Sequence, residues 1–320
     1  MPWWKQFLLS AYYHGSLPYR VWQSRRDARN GRAPIIVLFY HRVADDVCNG
    51  WTCSNHDFVR QMVWLKKRFE MISLAEAQRR VRDGNNKRPA VSVTFDDGYA
   101  DNCVRALPFL IEQKIPCTYF VSTRFVLEQL PFPHDLAQGY ALAPNTPEQL
   151  REMAEAGIDI GAHTHTHTDL SRVVDRRQLH QEVVEPREML EQLTGRPVRY
   201  FAFPYGLRGN LNVSAFQMAY EAGYHGVCSA YGGYNFPGDD AFHLQRIHGD
   251  PEMVRVKNWV TLDPRKRRTE RYRYADLLDQ SPPESTADIP PCEAERPGNT
   301  PVLGAVLQTD PAPIELASAS

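Results

Sequence analysis

No stretch of the 320 residues is apolar for long enough to cross a bilayer. The N-terminal Trp3-Trp4-Lys5-Gln6-Phe7-Leu8-Leu9 cluster is too short and too interrupted to be the apolar core of a signal peptide. Both absences point to a cytoplasmic protein. Trp3, Trp4, Phe7, Leu8 and Tyr12 leave two uses open: packing onto the body of the protein, the simpler one, or a peripheral membrane contact. Charge of one sign is lacking as well, for the formal net charge is -1, which gives no support to a nucleic-acid partner. A basic run, Arg265 to Arg268 with Arg271 and Arg273, reads as a charged helix face or junction rather than as a contact for anionic lipid or nucleic acid. The six cysteines, at 48, 53, 103, 117, 228 and 292, lack zinc-finger spacing, so buried free thiols are expected. Aromatics are absent from Ser281 to Ser320, where eight prolines occur and six acids face one arginine. Such a composition cannot bury enough apolar surface to order itself. No internal repeat of about 20 to 50 residues is evident, which sets solenoids and propellers aside.

What remains is an alternating α/β pattern, and 42% hydrophobic residues suffice for a sizeable core. Strands are expected at 35–40, 70–73, 90–95, 117–121, 158–162, 199–203, 224–229 and 243–247. Helices are expected after Ser54 (Phe58, Met62, Leu65, Phe69), from Thr146 to Gly157, and through Leu179, Val183, Met189, Leu190 and Leu193 to Gly195. His41, Asp96, Asp97, His163 and Arg246 all fall where expected strands end, which is where β/α barrels assemble their sites.

Two motifs carry chemistry. The run Pro89 to Phe95 delivers the adjacent carboxylates Asp96 and Asp97, followed by Gly98, in Thr94-Phe-Asp-Asp-Gly98. Neighbouring strand residues point to opposite faces, so both acids can serve one site only if the chain turns there, which the glycine permits. The second motif is His163-Thr-His-Thr-His167, after the short strand Ile158 to Ala162. In a helical turn the i, i+4 pair His163 and His167 would share a cation with a carboxylate, whereas an extended segment would make His165 the competing ligand. One carboxylate and two imidazoles with open positions suit a divalent metal ion, first Zn and then Co, Mn, Ni or Fe.

The pairing of Thr94-Phe-Asp-Asp-Gly98 with His163-Thr-His-Thr-His167 resembles the polysaccharide deacetylase family, the NodB homology domain of carbohydrate esterase family 4. Phe201-Ala-Phe-Pro-Tyr-Gly206 is similar to that family's R-x-P-Y segment, and Tyr40-His-Arg-Val43 resembles the opening strand of a subgroup that looks circularly permuted. The resemblance implies a distorted (β/α)7-type barrel that hydrolyses N-acetyl groups on amino sugars. It assigns Asp96 as general base, Asp97 as metal-binding carboxylate, and His163 and His167 as metal-binding imidazoles. Residues 1–32 would be an N-terminal segment, 33–264 the deacetylase domain, and 265–320 a basic and then Pro-rich tail.

Where many members carry an arginine that orients the base, this chain has Ala202, and Arg246 in Phe242-His-Leu-Gln-Arg-Ile-His248 is the candidate replacement. For the general acid, His41 competes with His248 and is preferred because its strand is the more apolar. A backbone N–H near Tyr205 is the expected oxyanion donor, and Trp51, Tyr99, Tyr205, Tyr231 and Tyr234 are candidates for stacking on pyranose rings of an N-acetylated glycan. The alternatives are a metal amidohydrolase or esterase on a non-sugar acyl group, and a glycan-binding homologue weakened at Ala202.

Overall fold

The structure, a computed structural model, describes residues 1–47, 49–249 and 251–272. Its strands are β1 (Ile35–Tyr40), β2 (Arg42–Val43), β3 (Thr52–Cys53), β4 (Glu70–Met71), β5 (Ala90–Phe95) and β6 (Cys117–Val121). They continue with β7 (Asp159–Ala162), β8 (Tyr200–Ala202), β9 (Gly226–Cys228), β10 (His243–Leu244) and β11 (Arg246–His248). Every pairing is parallel, in the order β10-β9-β8-β7-β6-β5-β1-β11, with β4 beside the start of β5 and β2 paired to β3 outside the sheet. Strands β1 and β5 are buried along their whole length, as apolar runs in a two-sided parallel sheet must be.

The sheet closes on itself through one segment that changes partners. Residues 243–244 pair with β9, and 246–248, one residue further on, pair with β1. At the changeover Asn235 fills the gap: its Oδ1 accepts from the Gln245 N–H at 2.8 Å and its Nδ2 donates to the Gln245 carbonyl at 2.8 Å. Its backbone exchanges both hydrogen bonds with Ile35, at 2.8 and 3.0 Å. The architecture is the expected distorted parallel β/α barrel.

Helix Asn55–Lys66 begins at Ser54, whose hydroxyl accepts from the Asp57 N–H, and Pro147–Glu155 starts with a full capping box from Thr146 and Gln149. The single helix expected from Leu179 to Gly195 is instead two, Arg176–Val183 and Glu185–Thr194. Pro186 explains the break, since it lacks an N–H and its ring collides with a carbonyl four residues back. The first 32 residues hold one long helix, α1 (Trp3–Arg29), with Pro18 inside it. Tyr12 packs inward and donates to Asp263 at 2.8 Å, whereas Trp3, Trp4, Phe7 and Leu8 stay exposed. Packing onto the barrel therefore explains only part of that cluster.

The basic run is a junction over its described part: Arg265 pairs with Asp263, Arg267 with Asp27, and Arg271 with Asp239. Cys117 and Cys228 are buried free thiols, Cys53 is buried and Cys103 is half-buried. Cys48, Cys292, Arg273 and the Pro-rich tail lie outside the described residues. No helix of the described residues is long and apolar enough to cross a membrane.

Candidate active site

The C-terminal ends of β1, β5, β7, β8 and β11 surround a cavity of about 350 Å³. His41, Asp96, Asp97, His163, His167, Tyr205 and His248 all line it. A larger groove of about 490 Å³ beneath α1 contains no carboxylate or imidazole.

The two adjacent carboxylates reach one site because Asp97 itself turns the chain. Its φ is 73°, and Gly98 follows at 99°. The glycine thus shares the turn rather than making it alone, and a left-handed Asp is a strained choice of the kind found at functional sites. The histidine segment is not a helical turn either. It is a loop in which Thr164 (φ 64°) and His167 (φ 57°) are left-handed, and these two bends bring His167 back beside His163, with ring centres 5.1 Å apart. His165 is directed away, its Nδ1 2.8 Å from the Thr123 hydroxyl, so it is no part of the cluster.

The loop is held by Glu182, a residue that sequence reading missed. This buried carboxylate accepts from the N–H groups of His165 and Thr166, each at 2.9 Å, and from the Thr166 hydroxyl at 2.6 Å. A signal was present: Glu182 sits three residues after Leu179 and one before Val183, on the apolar side of its helix.

Asp97, His163 and His167 offer ligand atoms that all lie within 4.8 Å of one another. The His163 Nδ1 is 2.8 Å from the Ala202 carbonyl, so Nδ1 carries the proton and Nε2 presents its lone pair to Asp97. Nε2 of His163 lies 3.4 Å from Asp97 Oδ1 and Nε2 of His167 lies 3.2 Å from it. Yet Oδ1 is buried and has no hydrogen-bond partner. Two imidazole nitrogens beside a buried carboxylate oxygen with no hydrogen-bond partner form a donor set that fits a divalent metal ion.

Behind Asp96 lies Arg246, fully buried. Its guanidinium grips the carboxylate with two bonds, Nη1 to Oδ1 at 2.6 Å and Nη2 to Oδ2 at 2.8 Å. It also donates to the Ser229 carbonyl at 3.1 Å and to the Thr94 hydroxyl at 3.2 Å, and lies between the rings of Phe39 and Phe120. Burial works against its charge, and Asp96 more than offsets this, raising its pKa above the ordinary value. Ala202 is also buried, and its carbonyl is the one that orients His163.

His41 and His248 face each other at 5.7 Å between ring centres, with Phe39 packed against both. Burial lowers His41, opposed by Asp97 and Asp96, and lowers His248 to about 4. The His41 Nδ1 is buried without a partner. Tyr205 is left-handed at φ 60° with its ring 5.2 Å from that of His167. Gly206 follows at φ 59°, and a Cβ there would lie 2.7 Å from the Ala230 nitrogen, so only glycine fits this turn.

Of the aromatic candidates, Trp51 and Tyr205 line the cavity and Tyr99, Tyr231 and Tyr234 do not. Tyr99 is buried beneath the floor, donating to Asp135 at 2.8 Å and touching His134 Nε2 at 2.9 Å. His134 is a second wall residue that the motifs did not reveal, standing 5.1 Å from Trp51 and 5.7 Å from His167 between ring centres.

Fold and site together define a parallel β/α-barrel protein with a buried Asp-His-His cation cluster beside an arginine-held carboxylate. The model of the polysaccharide deacetylase family matches residues 83–227. The chain is similar to that family over this segment, which holds Asp96, Asp97, His163 and His167. It is 24% identical over 223 residues to the polysaccharide deacetylase homologue YxkH of Bacillus subtilis, covering 69% of this chain and 73% of that one. It is 29% identical over 140 residues to the chitooligosaccharide deacetylase of a Bradyrhizobium strain, covering 43% of this chain and 55% of the relative. The fold is that of the deacetylase PplD from Streptococcus pyogenes, with a TM-score of 0.60 at 20% identity over 71% of this chain and 99% of that one. It is also that of IcaB from Ammonifex degensii, with a TM-score of 0.59 at 24% identity over 71% and 97%.

Proposed function

We propose that this chain is a divalent-metal-dependent deacetylase that removes N-acetyl groups from amino sugars of an oligo- or polysaccharide. The observation that carries the reading is the pairing of two carboxylates with opposite tasks in one cavity. Asp97 turns toward two imidazoles, and Asp96, next in the chain, is clamped by a buried arginine and left facing the cavity.

Asp97, His163 and His167 would hold the cation, with Zn the first choice for this donor set. When bound there, the ion supplies Lewis acidity and acidifies water. Asp96 serves as general base: the Arg246 fork fixes its position, so it is ready to take a proton without first reorienting. Arg246 thereby does from β11 what an arginine at position 202 would do from β8. Tyr205, which lines the cavity, would offer its backbone N–H to the oxygen on which charge develops. His41 donates the proton that the departing amine needs, with Phe39 packed against its ring. Trp51 and Tyr205 supply apolar faces at the cavity wall for sugar rings.

The test is metal analysis of the purified chain together with acetate release from N-acetylglucosamine oligomers. Stoichiometric metal and acetate release that stops on chelation and returns on metal addition are expected. Release from simple amides or esters but not from the oligomers would overturn the sugar assignment.

A further inference from the structure

Helix α1 is mounted with its apolar side outward. Its inner side is pinned to the barrel by polar contacts: buried Arg20 donates to the Asn258 carbonyl at 2.7 Å and to its Oδ1 at 2.8 Å, and Asp27 accepts from Arg267 at 2.8 Å. The outer side carries Trp3, Trp4, Phe7, Leu8, Tyr19 and Trp22, all exposed, Trp3 by 79% and Phe7 by 66%. Eight of the nineteen exposed large apolar side chains of the described residues belong to the first 22 positions. Because the inner side is held by named bonds, α1 cannot roll over to hide this face.

Charge on the helix is one-sided. Residues 1–26 contain no Asp or Glu, and Lys5, Arg25, Arg26 and Arg29 are exposed beside the aromatics. Lys5 lies 5.3 Å from the Trp4 ring and Arg26 5.7 Å from the Trp22 ring, so the cations flank the apolar band. Alongside α1 runs the 490 Å³ groove, with Leu17, Val21 and Trp64 as apolar walls and Arg25 and Arg68 as cations. Trp and Tyr beside Lys and Arg, without acids, is the pattern of a helix lying in an anionic membrane interface. A second copy of the chain is the poorer occupant, since a two-fold contact would set this acid-free face against itself and oppose cation to cation.

We propose that α1 docks the protein on the surface of an anionic phospholipid bilayer, with Trp3, Trp4 and Phe7 inserted and Lys5, Arg25 and Arg26 at the headgroups. The active-site cavity lies at the end of the barrel where α1 begins: the Met1 amino group is 3.0 Å from Glu252, four residues after the cavity residue His248. The far end of α1 instead borders Pro34 and Pro89, ahead of β1 and β5. Docking therefore sets the mouth of the cavity beside the bilayer rather than away from it.

The test is sedimentation of the full chain with sucrose-loaded vesicles of phosphatidylcholine alone or mixed with phosphatidylglycerol. The mixed vesicles are expected to bind roughly a hundredfold more strongly, from a few surface cations acting together. Replacing Trp3, Trp4 and Phe7 together by serine should abolish binding, and Arg25→Glu with Arg26→Glu should remove the preference for anionic vesicles. Acetate release from soluble oligomers should not change in either variant, which separates this proposal from the catalytic one. Equal binding to both vesicle types, or binding that survives the serine triple variant, would overturn it. So would self-association without vesicle binding that the same triple variant abolishes, which would make the face a dimer contact.

Discussion

Replacing Arg246 by alanine leaves the Asp96 carboxylate, 2% exposed, with neither of its two guanidinium bonds. Removing one partner of a buried ion pair costs about 3 to 5 kcal/mol, far more than the 0 to 1 kcal/mol typical of an exposed pair. The cost falls on stability and on rate alike. A base that swings by about 1 Å loses roughly a hundredfold in turnover. Metal affinity should be nearly unchanged, because Arg246 bonds to Asp96 and not to Asp97, His163 or His167. Urea denaturation gives the stability, acetate release the rate, and titration calorimetry the metal affinity. The double variant Asp96→Asn with Arg246→Met removes the stranded charge and should recover a large part of the lost stability while remaining inactive. A stability loss below about 1 kcal/mol, or a double variant no more stable than Arg246→Ala, would refute the view that the pair is a buried, mutually dependent unit.

Asp96→Asn is expected to keep its metal and lose roughly a hundred- to ten-thousandfold in turnover, since an amide cannot accept the proton; loss of metal would make Asp96 a ligand instead. Glu182→Ala strands the donors of His165 and Thr166 and should cost about 2 to 4 kcal/mol of stability, with metal affinity down about 10- to 100-fold as His167 is released. His41→Ala should remove the alkaline limb of the rate profile, because an acid catalyst is lost as pH rises through its pKa, and burial places that pKa below its ordinary 6.5. An alkaline limb unchanged in His41→Ala and absent in His248→Ala would reverse the assignment. Burial lowers His248 from 6.5 to about 4, so between those values the unfolded chain binds a proton that the folded one does not, and stability rises with pH across that window. His248→Gln should flatten the rise by up to about 1.4 kcal/mol per pH unit, read from denaturation midpoints at pH 4 to 6.5.

The barrel was legible because its strands are apolar runs that end in chemically distinct residues, and β1, β5 and β6 begin and end where those runs do. Helix α1 was not, because its apolar residues face outward and Gly15 and Pro18 interrupt any periodicity. The metal-type cluster was legible in its residue types but not in its shape. His165 and His167 could be told apart only by the left-handed bends at Thr164 and His167, which no residue preference announces. His134 was hidden for a different reason: it comes from the short helix Pro133–Leu136, outside both motifs, and touches Tyr99, whose own position is visible only in three dimensions.

The residue that holds Asp96 follows directly on the segment that completes the barrel. Arg246 is the first residue of β11, one step after the changeover at Gln245, where the circle of strands is joined. A chain that has folded every other strand but not threaded 243–248 between β9 and β1 would keep Asp97, His163 and His167 on their own strands and have no arginine behind Asp96. The seam that closes this barrel therefore also carries the arginine that holds Asp96, so closing the circle of strands and fixing the carboxylate depend on the same few residues.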